Sequence, residues 1–148
     1  MKAKVLTSVL VVVMFLTSVI AYGQEKTVYE NVENTGSYMK KEYITVDKYS
    51  KSPISKKLYV YDVNGLRTER IEYVWSNNSS GWEAVTRYEY EYADNRLLLS
   101  TIHSKWDKSN NGWSDNVEQM IYNYDENGLL ANVDKVYKKK DQLASISR

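Results

Sequence analysis

The chain contains no cysteine and, among its 148 residues, only one proline, one histidine and one phenylalanine. Without cysteine it can form no disulfide and carry no lipid on a cysteine, so the fold must rest on its sheet and core alone. The single proline, Pro53, predicts a loop at residues 50–55, because proline cannot donate to a sheet ladder. The formal charge of +1 gives no electrostatic reason to expect binding to nucleic acid or to an anionic membrane.

The first 23 residues have the pattern of a secretory signal peptide. Lys2 and Lys4 precede a mostly apolar run at residues 5–20. Small residues then precede the predicted cleavage site before Gln24. The run is short for a membrane span of about 20 residues, so we predict cleavage rather than a retained anchor. Cleavage removes two of the 20 basic residues and none of the 19 acidic ones, which changes the formal charge to −1. Residues 24–148 then form one exported domain, secreted or periplasmic, and not a lipoprotein.

Two motifs recur along the exported part with one period. Residues 59–66, 88–97 and 122–129 each read as a strand end, a tight turn and a new strand, with steps of 31 and 32 residues between their last tyrosines. The segment 75–82, bounded by tryptophans, recurs at 106–113. A fixed period of this length indicates repeated hairpins. The predicted units cover about residues 56–87, 88–119 and 120–140.

Alternation with a period of two predicts strands with one buried and one wet face. Along residues 82–92 the aromatic side chains fall on one side and the charged ones on the other. We therefore predict an all-β fold: an antiparallel up-and-down meander of about eight strands, with tight turns at one end and six-residue loops at the other. Such a sheet either twists and rolls over its aromatic side or closes into a barrel.

The turns carry specific chemistry. Residues 62–65 and 125–128 share Asp, Asn and a final Gly, which is the composition of a type I turn closed by a glycine bulge. Residues 93–96 lack the glycine, so Asn95 is the predicted left-handed residue. The alternation slips between Val117 and Met120, which predicts a β-bulge there.

The aromatic residues admit two interpretations. Tryptophans facing each other across a hairpin stabilise it; exposed, they form a platform for sugar rings or a protein partner. The tyrosine ladder equally suits core packing or binding. The candidate binding residues are Trp75, Trp82, Trp106, Trp113, Tyr88, Tyr90 and Tyr92.

The sequence predicts no catalytic residue, no metal site and no cofactor. His103 lacks a strained nucleophile turn or a placed carboxylate beside it. The carboxylates of Glu83, Glu89 and Glu91 fall on the face predicted to be wet, where the pKa of a carboxyl group is not easily raised. The aspartates at the repeated turns are explained by the turns, because no oxygen ligands follow with the spacing of a calcium loop.

The motif Tyr59-x-Tyr61-Asp62-x-Asn64-Gly65-Leu66 and its copy at 122–129 resemble the YD-type repeats of large bacterial toxin shells and cell-surface proteins. The chain is more similar to a family of small secreted Bacteroidales proteins, the domain of unknown function numbered 3836. In that family the same turn motif alternates with the tryptophan, six-residue loop, tryptophan motif. The resemblance implies an exported β-rich module and transfers no catalytic residue.

These observations favour an exported, non-catalytic β-module with a binding or structural-interaction role, whose partner is a glycan or a protein. One alternative is a small-ligand container of the lipocalin type, which requires a closed barrel with an apolar cavity. A second alternative is a small hydrolase, which requires an acid, a base or a nucleophile converging in a concave site.

Overall fold

The computed structural model describes residues 25–143, and the predicted signal peptide, residues 1–23, lies outside the described residues. Nine strands form one sheet, and a short 3-10 helix at Lys140–Gln142 follows the last strand. The strands are β1 (Lys26–Asn34), β2 (Met39–Asp47), β3 (Pro53–Tyr61), β4 (Arg67–Ser76), β5 (Gly81–Tyr92), β6 (Leu98–Asp107), β7 (Gly112–Trp113), β8 (Asn116–Tyr124) and β9 (Leu130–Lys139). Pro53 thus opens a strand instead of lying in a loop, at the first position, where the lack of an N–H is tolerated.

The sheet is an open antiparallel meander. Its order is β1-β2-β3-β4-β5-β6-β8-β9, and the two-residue β7 also pairs with β6. The predicted all-β meander of about eight strands is therefore confirmed. Within residues 25–143, β1 and β9 each have a neighbour on one side only, so the sheet does not close into a barrel. The lipocalin-like alternative thus lacks the closed wall that it requires.

The C-terminal end of the sheet reaches back over the inner strands. Lys140, just after β9, places its Nζ 3.0 Å from a carboxylate oxygen of Glu89 on β5. Three strand spacings separate β9 from β5, which is about 14 Å across a flat sheet. The contact indicates that this part of the sheet curves over the face that carries Glu89.

The tight turns have the predicted chemistry in two cases. At Asp62 the backbone N–H bonds the carbonyl of Leu66 at 2.9 Å, and the carboxylate accepts the N–H groups of Asn64 and Leu66, both at 2.9 Å. Gly65 has φ +76°, which is the left-handed position of the bulge. Residues 125–129 repeat these bonds, and Gly128 also has φ +76°.

The third turn differs from the prediction for Asn95. The left-handed residue is Arg96, with φ 70°. The side-chain oxygen of Asn95 instead accepts the N–H of Leu97 at 3.2 Å. Arg96 stands at the bulge position that Gly65 and Gly128 occupy in the other two turns, so the turn geometry decides which residue becomes left-handed.

A β-bulge in β5 reverses the side to which its residues point. The register between β4 and β5 shifts by one residue between Glu72 and Tyr73, which leaves Val85 as an extra residue on β5. One extra residue moves the following side chains to the other face. Trp82 and Tyr88 therefore lie on opposite faces, and the prediction of one continuous aromatic side along β5 is wrong.

The bulge predicted between Val117 and Met120 is also misplaced. The pairing of β6 with β8 is regular from His103–Glu118 to Ser100–Ile121. The irregularity lies earlier in the chain: Trp106 pairs with Trp113 and His103 with Glu118, so the four residues 114–117 oppose only two residues of β6. The extra residues fall between β7 and β8 because the chain must leave and rejoin β6 there.

The core lies on the face that carries the tryptophans, which we call the tryptophan face. The register places Arg87, Glu89 and Glu91 on this face. Glu83 precedes the bulge and points to the other face. The prediction of a wet face is therefore wrong for the first three, because the bulge turns their side of β5 toward the core. The buried residues on the tryptophan face are Thr27, Val46, Ser100, Ile102, Ser104, Val117 and Gln119.

The opposite face, which we call the tyrosine face, carries Tyr43, Tyr59, Tyr88, Tyr90, Tyr92 and His103. These rings are half-buried. They form a covering layer on a single sheet rather than a closed core.

Candidate functional site

Two tryptophan pairs stand at the loop end of the tryptophan face. Trp75 lies directly opposite Trp82 in the β4–β5 register, and Trp106 lies opposite Trp113 between β6 and β7. In both pairs the ring centres are 5.1 Å apart, with interplanar angles of 79° and 87°. This is the edge-to-face arrangement that aromatic pairs prefer. The predicted contact of each pair across its hairpin is present, and all four rings are half-buried.

The loops between the paired tryptophans share a backbone conformation. Ser80 and Asn111, each just before the glycine that opens the next strand, both have φ 48°. In the second loop the Asp107 carboxylate accepts the N–H of Ser109 at 2.9 Å and the side-chain amide of Asn110 at 2.6 Å. These bonds keep the polar loop residues beside the rings.

A groove of about 580 Å³ lies between the two pairs, and we call it the tryptophan groove. Three of the four tryptophans line it; Trp75 supports Trp82 from the other side of their edge-to-face contact. Polar groups from the two loops stand along the rim. The lining residues are Ile71, Tyr73, Ser79, Trp82, Glu83, Ala84, Trp106, Lys108, Asn111 and Trp113.

Cations hold the aromatic rings of the groove in place. Lys56 Nζ lies 4.6 Å from the ring centre of Tyr73 and 5.3 Å from that of Trp82. The Arg87 guanidinium carbon lies 4.9 Å from the Trp113 ring centre. Cations at these distances are attracted to the ring faces, so part of each aromatic surface already has a partner.

The cations are themselves paired with carboxylates. Lys56 lies 3.2 Å from Glu42, and Arg87 lies 3.2 Å from Glu89. Burial raises the pKa of the Glu69 carboxyl, which lies opposite Glu89 in the register, and the charge of Arg87 partly offsets that effect. The ion pairs therefore leave the groove floor aromatic and place charge at its inner margin.

The tyrosine ladder belongs to a different surface. Tyr88, Tyr90 and Tyr92 lie together on the tyrosine face, so the structure groups these three but separates them from the tryptophan groove. The Arg67 guanidinium carbon lies 4.9 Å from the ring centre of Tyr90, and that of Arg70 lies 4.1 Å from Tyr88. Burial raises the pKa of the Tyr90 and Tyr92 phenols, which favours their neutral form.

His103 belongs to the same stack. Its ring lies 4.6 Å from that of Tyr88 with an interplanar angle of 15°, and burial lowers its pKa. Glu91 points to the opposite face, where its carboxylate accepts the hydroxyl of Ser100 at 2.6 Å. The two residues that a hydrolase would most readily use therefore do not converge.

No group of three or more potential metal ligands occurs within residues 25–143. In the same part of the chain, none of the helical segments has the length and apolar character needed to span a membrane.

Sequence reasoning missed Tyr73, which lines the groove, and the two cations that contact its aromatic rings. Tyr73 stands two residues before Trp75, on the same side of β4, and this spacing could have identified it. Lys56 and Arg87 come from β3 and from beyond the bulge in β5, and no local pattern connects them with the tryptophans.

Fold and site together define a single-layer antiparallel β-meander with an aromatic groove on one face. The model of DUF3836, a family of unknown function, matches residues 1–124. The chain therefore belongs to the DUF3836 family, as the turn and tryptophan motifs predicted. A crystal structure of a DUF3836 family protein from Parabacteroides distasonis ATCC 8503 is similar, with 16% sequence identity and a TM-score of 0.48, over 78% of this chain and 93% of that one. A comparison with curated proteins finds no match.

Proposed function

We propose that this protein is an exported, non-catalytic binding module whose tryptophan groove binds a glycan. The observation that carries the proposal is the placement of both tryptophan pairs on one face, beside an open groove of about 580 Å³. Such a groove combines large aromatic surfaces with a few polar groups, which is the usual composition of a ligand site.

The chemistry of the groove suits a carbohydrate. A sugar ring has an apolar C–H face and a rim of hydroxyl groups. The rings of Trp82 and Trp106 offer aromatic surface for the C–H face, and Ser79 and Asn111 offer hydrogen-bonding groups at the rim. The exposed ion pair of Lys108 and Glu83, 2.9 Å apart, adds a charged donor and acceptor at the same margin.

Two further observations support the remaining parts of the proposal. The signal-peptide pattern of residues 1–23 supports export. The separation of His103 and Glu91 on opposite faces supports a non-catalytic role.

A protein partner is the second candidate, and the tyrosine face favours it. Tyrosine and arginine are enriched in protein interfaces, and here Arg70, Tyr88 and His103 form a continuous half-buried stack. A partner on this face would leave the tryptophan groove free.

Glycan arrays and fluorescence titration of the purified protein test the glycan proposal. The four tryptophans form the two pairs beside the groove, so ligand binding should change the intrinsic fluorescence directly. Trp82→Ala and Trp106→Ala should each weaken binding at least tenfold, because each removes a lining ring.

The matched control is Tyr49→Ala, which removes an exposed ring from the loop between β2 and β3 and should leave affinity unchanged. Tyr88→Ala, on the other face, should leave the affinity for the glycan unchanged. If a protein partner is found, the same variant should weaken its binding. Arrays without a hit, or unchanged affinity of folded Trp82→Ala for a ligand that the arrays find, would contradict a binding role for the groove.

A further inference from the structure

Strand β9 is the more exposed of the two sheet edges. Eight of its ten residues are exposed, whereas in β1, at the opposite edge, only Lys26 and Asn34 of nine residues are exposed. An open strand edge that also shows apolar side chains tends to pair with another strand. Four large apolar residues on or beside β9 are exposed: Leu129, Leu130, Val133 and Tyr137.

The hydrogen bonds to β8 determine which residues of β9 point their backbone outward. The N–H of Lys140 donates to the carbonyl of Asp115 at 2.8 Å, and the register runs from there without a shift to Asn132. Residues of an antiparallel pair alternate between those that exchange backbone bonds with the neighbour and those that face away. Within residues 132–139 the even-numbered residues of β9 therefore bond to β8. The outward N–H and C=O groups belong to Val133, Lys135, Tyr137 and Lys139.

We propose that β9 pairs with β9 of a second copy of this chain, antiparallel and centred on Val133. The two-fold axis then stands perpendicular to the sheet at Val133, and both outward backbone groups of this residue bond their counterparts. The axis places the two Val133 side chains, each 38% exposed, directly opposite each other. Ala131 is an extra residue in the pairing of β9 with β8, so the regular part of the strand begins at Asn132.

The polar residues of β9 agree with this register. Asn132 lies opposite Asp134 of the second copy, and the two groups are compatible, since the Asn132 amide lies 3.4 Å from the Asp134 carboxylate within the strand itself. Centring the pair on Asp134 or on Lys135 would instead place identical charges directly opposite each other, which is unfavourable.

Pairing β9 with β1 of another copy is less well supported. Such a contact would use β1, most of whose residues are not exposed. It would also leave a free β9 at one end of the assembly and a free β1 at the other, so further copies could add without limit. The Val133-centred pair closes after two copies and covers the exposed Val133 side chains of both.

Mass measurement by light scattering, on protein purified from cells expressing the full chain, tests the proposal. The protein should have twice the mass of one chain. Val133→Lys, which places two lysines face to face, and Val133→Pro, which removes the outward N–H, should each give the mass of one chain. The matched controls are Val85→Lys, at a position 39% exposed against 38% for Val133, and Val63→Pro, in a turn position that favours proline; both should keep the double mass.

Cysteine cross-linking tests the register, since the chain has no cysteine of its own. Opposed residues in a hydrogen-bonded pair have Cα atoms about 5.5 Å apart, within the range of a disulfide. Val133→Cys should oxidise to a linked pair, and Val85→Cys should stay unlinked under the same conditions. A single-chain mass for the unmodified protein at every concentration, open-ended assemblies, or equal cross-linking of both variants would overturn the proposal.

Discussion

The phenol of Tyr124 donates a 2.9 Å hydrogen bond to the backbone carbonyl of Leu98, where β6 begins. Tyr92 makes the equivalent bond, at 3.0 Å, to the carbonyl of Arg67, where β4 begins. Each tyrosine thus ties the end of one strand to the start of the strand beside it in the sheet, β8 to β6 and β5 to β4. These bonds stabilise the turn end of the sheet, beside the bulges that open the strands.

Removing one of these phenols should weaken the fold without disturbing its packing. Tyr124→Phe and Tyr92→Phe should each lower the free energy of unfolding by about 0.5–1.5 kcal/mol, because a half-buried carbonyl loses its partner. Urea denaturation followed by circular dichroism measures the change. Tyr88→Phe is the control, since that ring acts through its stack with His103; a loss as large in Tyr88→Phe would contradict the assignment.

The glycine bulges predict a difference between two similar substitutions. Gly65→Ala should lower the free energy of unfolding by about 1 kcal/mol, because an L-residue at φ +76° is strained even though its Cβ would meet open space. Gly81→Ala, where φ is not positive and the Cβ meets only Ser79 at 3.8 Å or beyond, should be nearly neutral. Urea midpoints compare the two; equal losses would show that turn strain is not the cause.

The tryptophan pairs predict a coupling energy that a double-mutant cycle can measure. Replacing Trp75 and Trp82 by alanine, singly and together, should give a coupling of about 0.5–1.5 kcal/mol from the edge-to-face contact. A cycle between Trp75 and Trp113, which belong to different pairs, should give a coupling near zero. Similar values from both cycles would indicate a general loss of packing in place of a specific contact.

His103 predicts a pH dependence of stability. Burial lowers its pKa in the folded chain, so the unfolded chain binds the proton more tightly, and Glu118 only partly offsets this. The stability that the neutral ring contributes is present above about pH 6.5, which is the pKa of histidine in the unfolded chain. It is lost as the pH falls through the pKa of His103 in the folded chain. The charged neighbours Lys105 and Arg70 add to the lowering.

In the unchanged chain the urea midpoint should fall between about pH 7 and about pH 5, because histidine is the side chain whose ordinary pKa lies in that interval. In His103→Gln the midpoint should fall less steeply. The control is Thr101→Val, on the same face of β6, which should keep the pH dependence of the unchanged chain. If His103→Gln and the unchanged chain had the same pH dependence of the urea midpoint, carboxyl groups and not His103 would be its cause.

Local chemistry made much of the fold predictable. The turn at Asp62 depends on a carboxylate, an asparagine and a glycine within four residues, and its hydrogen bonds are as expected. The contact of Trp75 with Trp82 was predictable for the same reason, because a hairpin loop of known length brings its two ends together. Such features depend on atoms close in sequence, where the chain has few alternatives.

Features that depend on a neighbouring strand were not predictable. The bulge at Val85 arises in the pairing of β5 with β4, so alternation within β5 alone could not reveal that Trp82 and Tyr88 face opposite ways. The same holds for Arg96, which takes the bulge position of its turn whatever its side chain prefers.

The amino-acid sequence by itself determined that the chain forms antiparallel hairpins with tight turns at one end and paired tryptophans at the other, because period-two alternation and turn residues act within a few positions of each other. Only the tertiary structure decided which face holds the core, that the sheet stays open, and that Lys56 and Arg87 join the tryptophans. These outcomes depend on register and curvature, which are set by contacts between residues far apart in the chain.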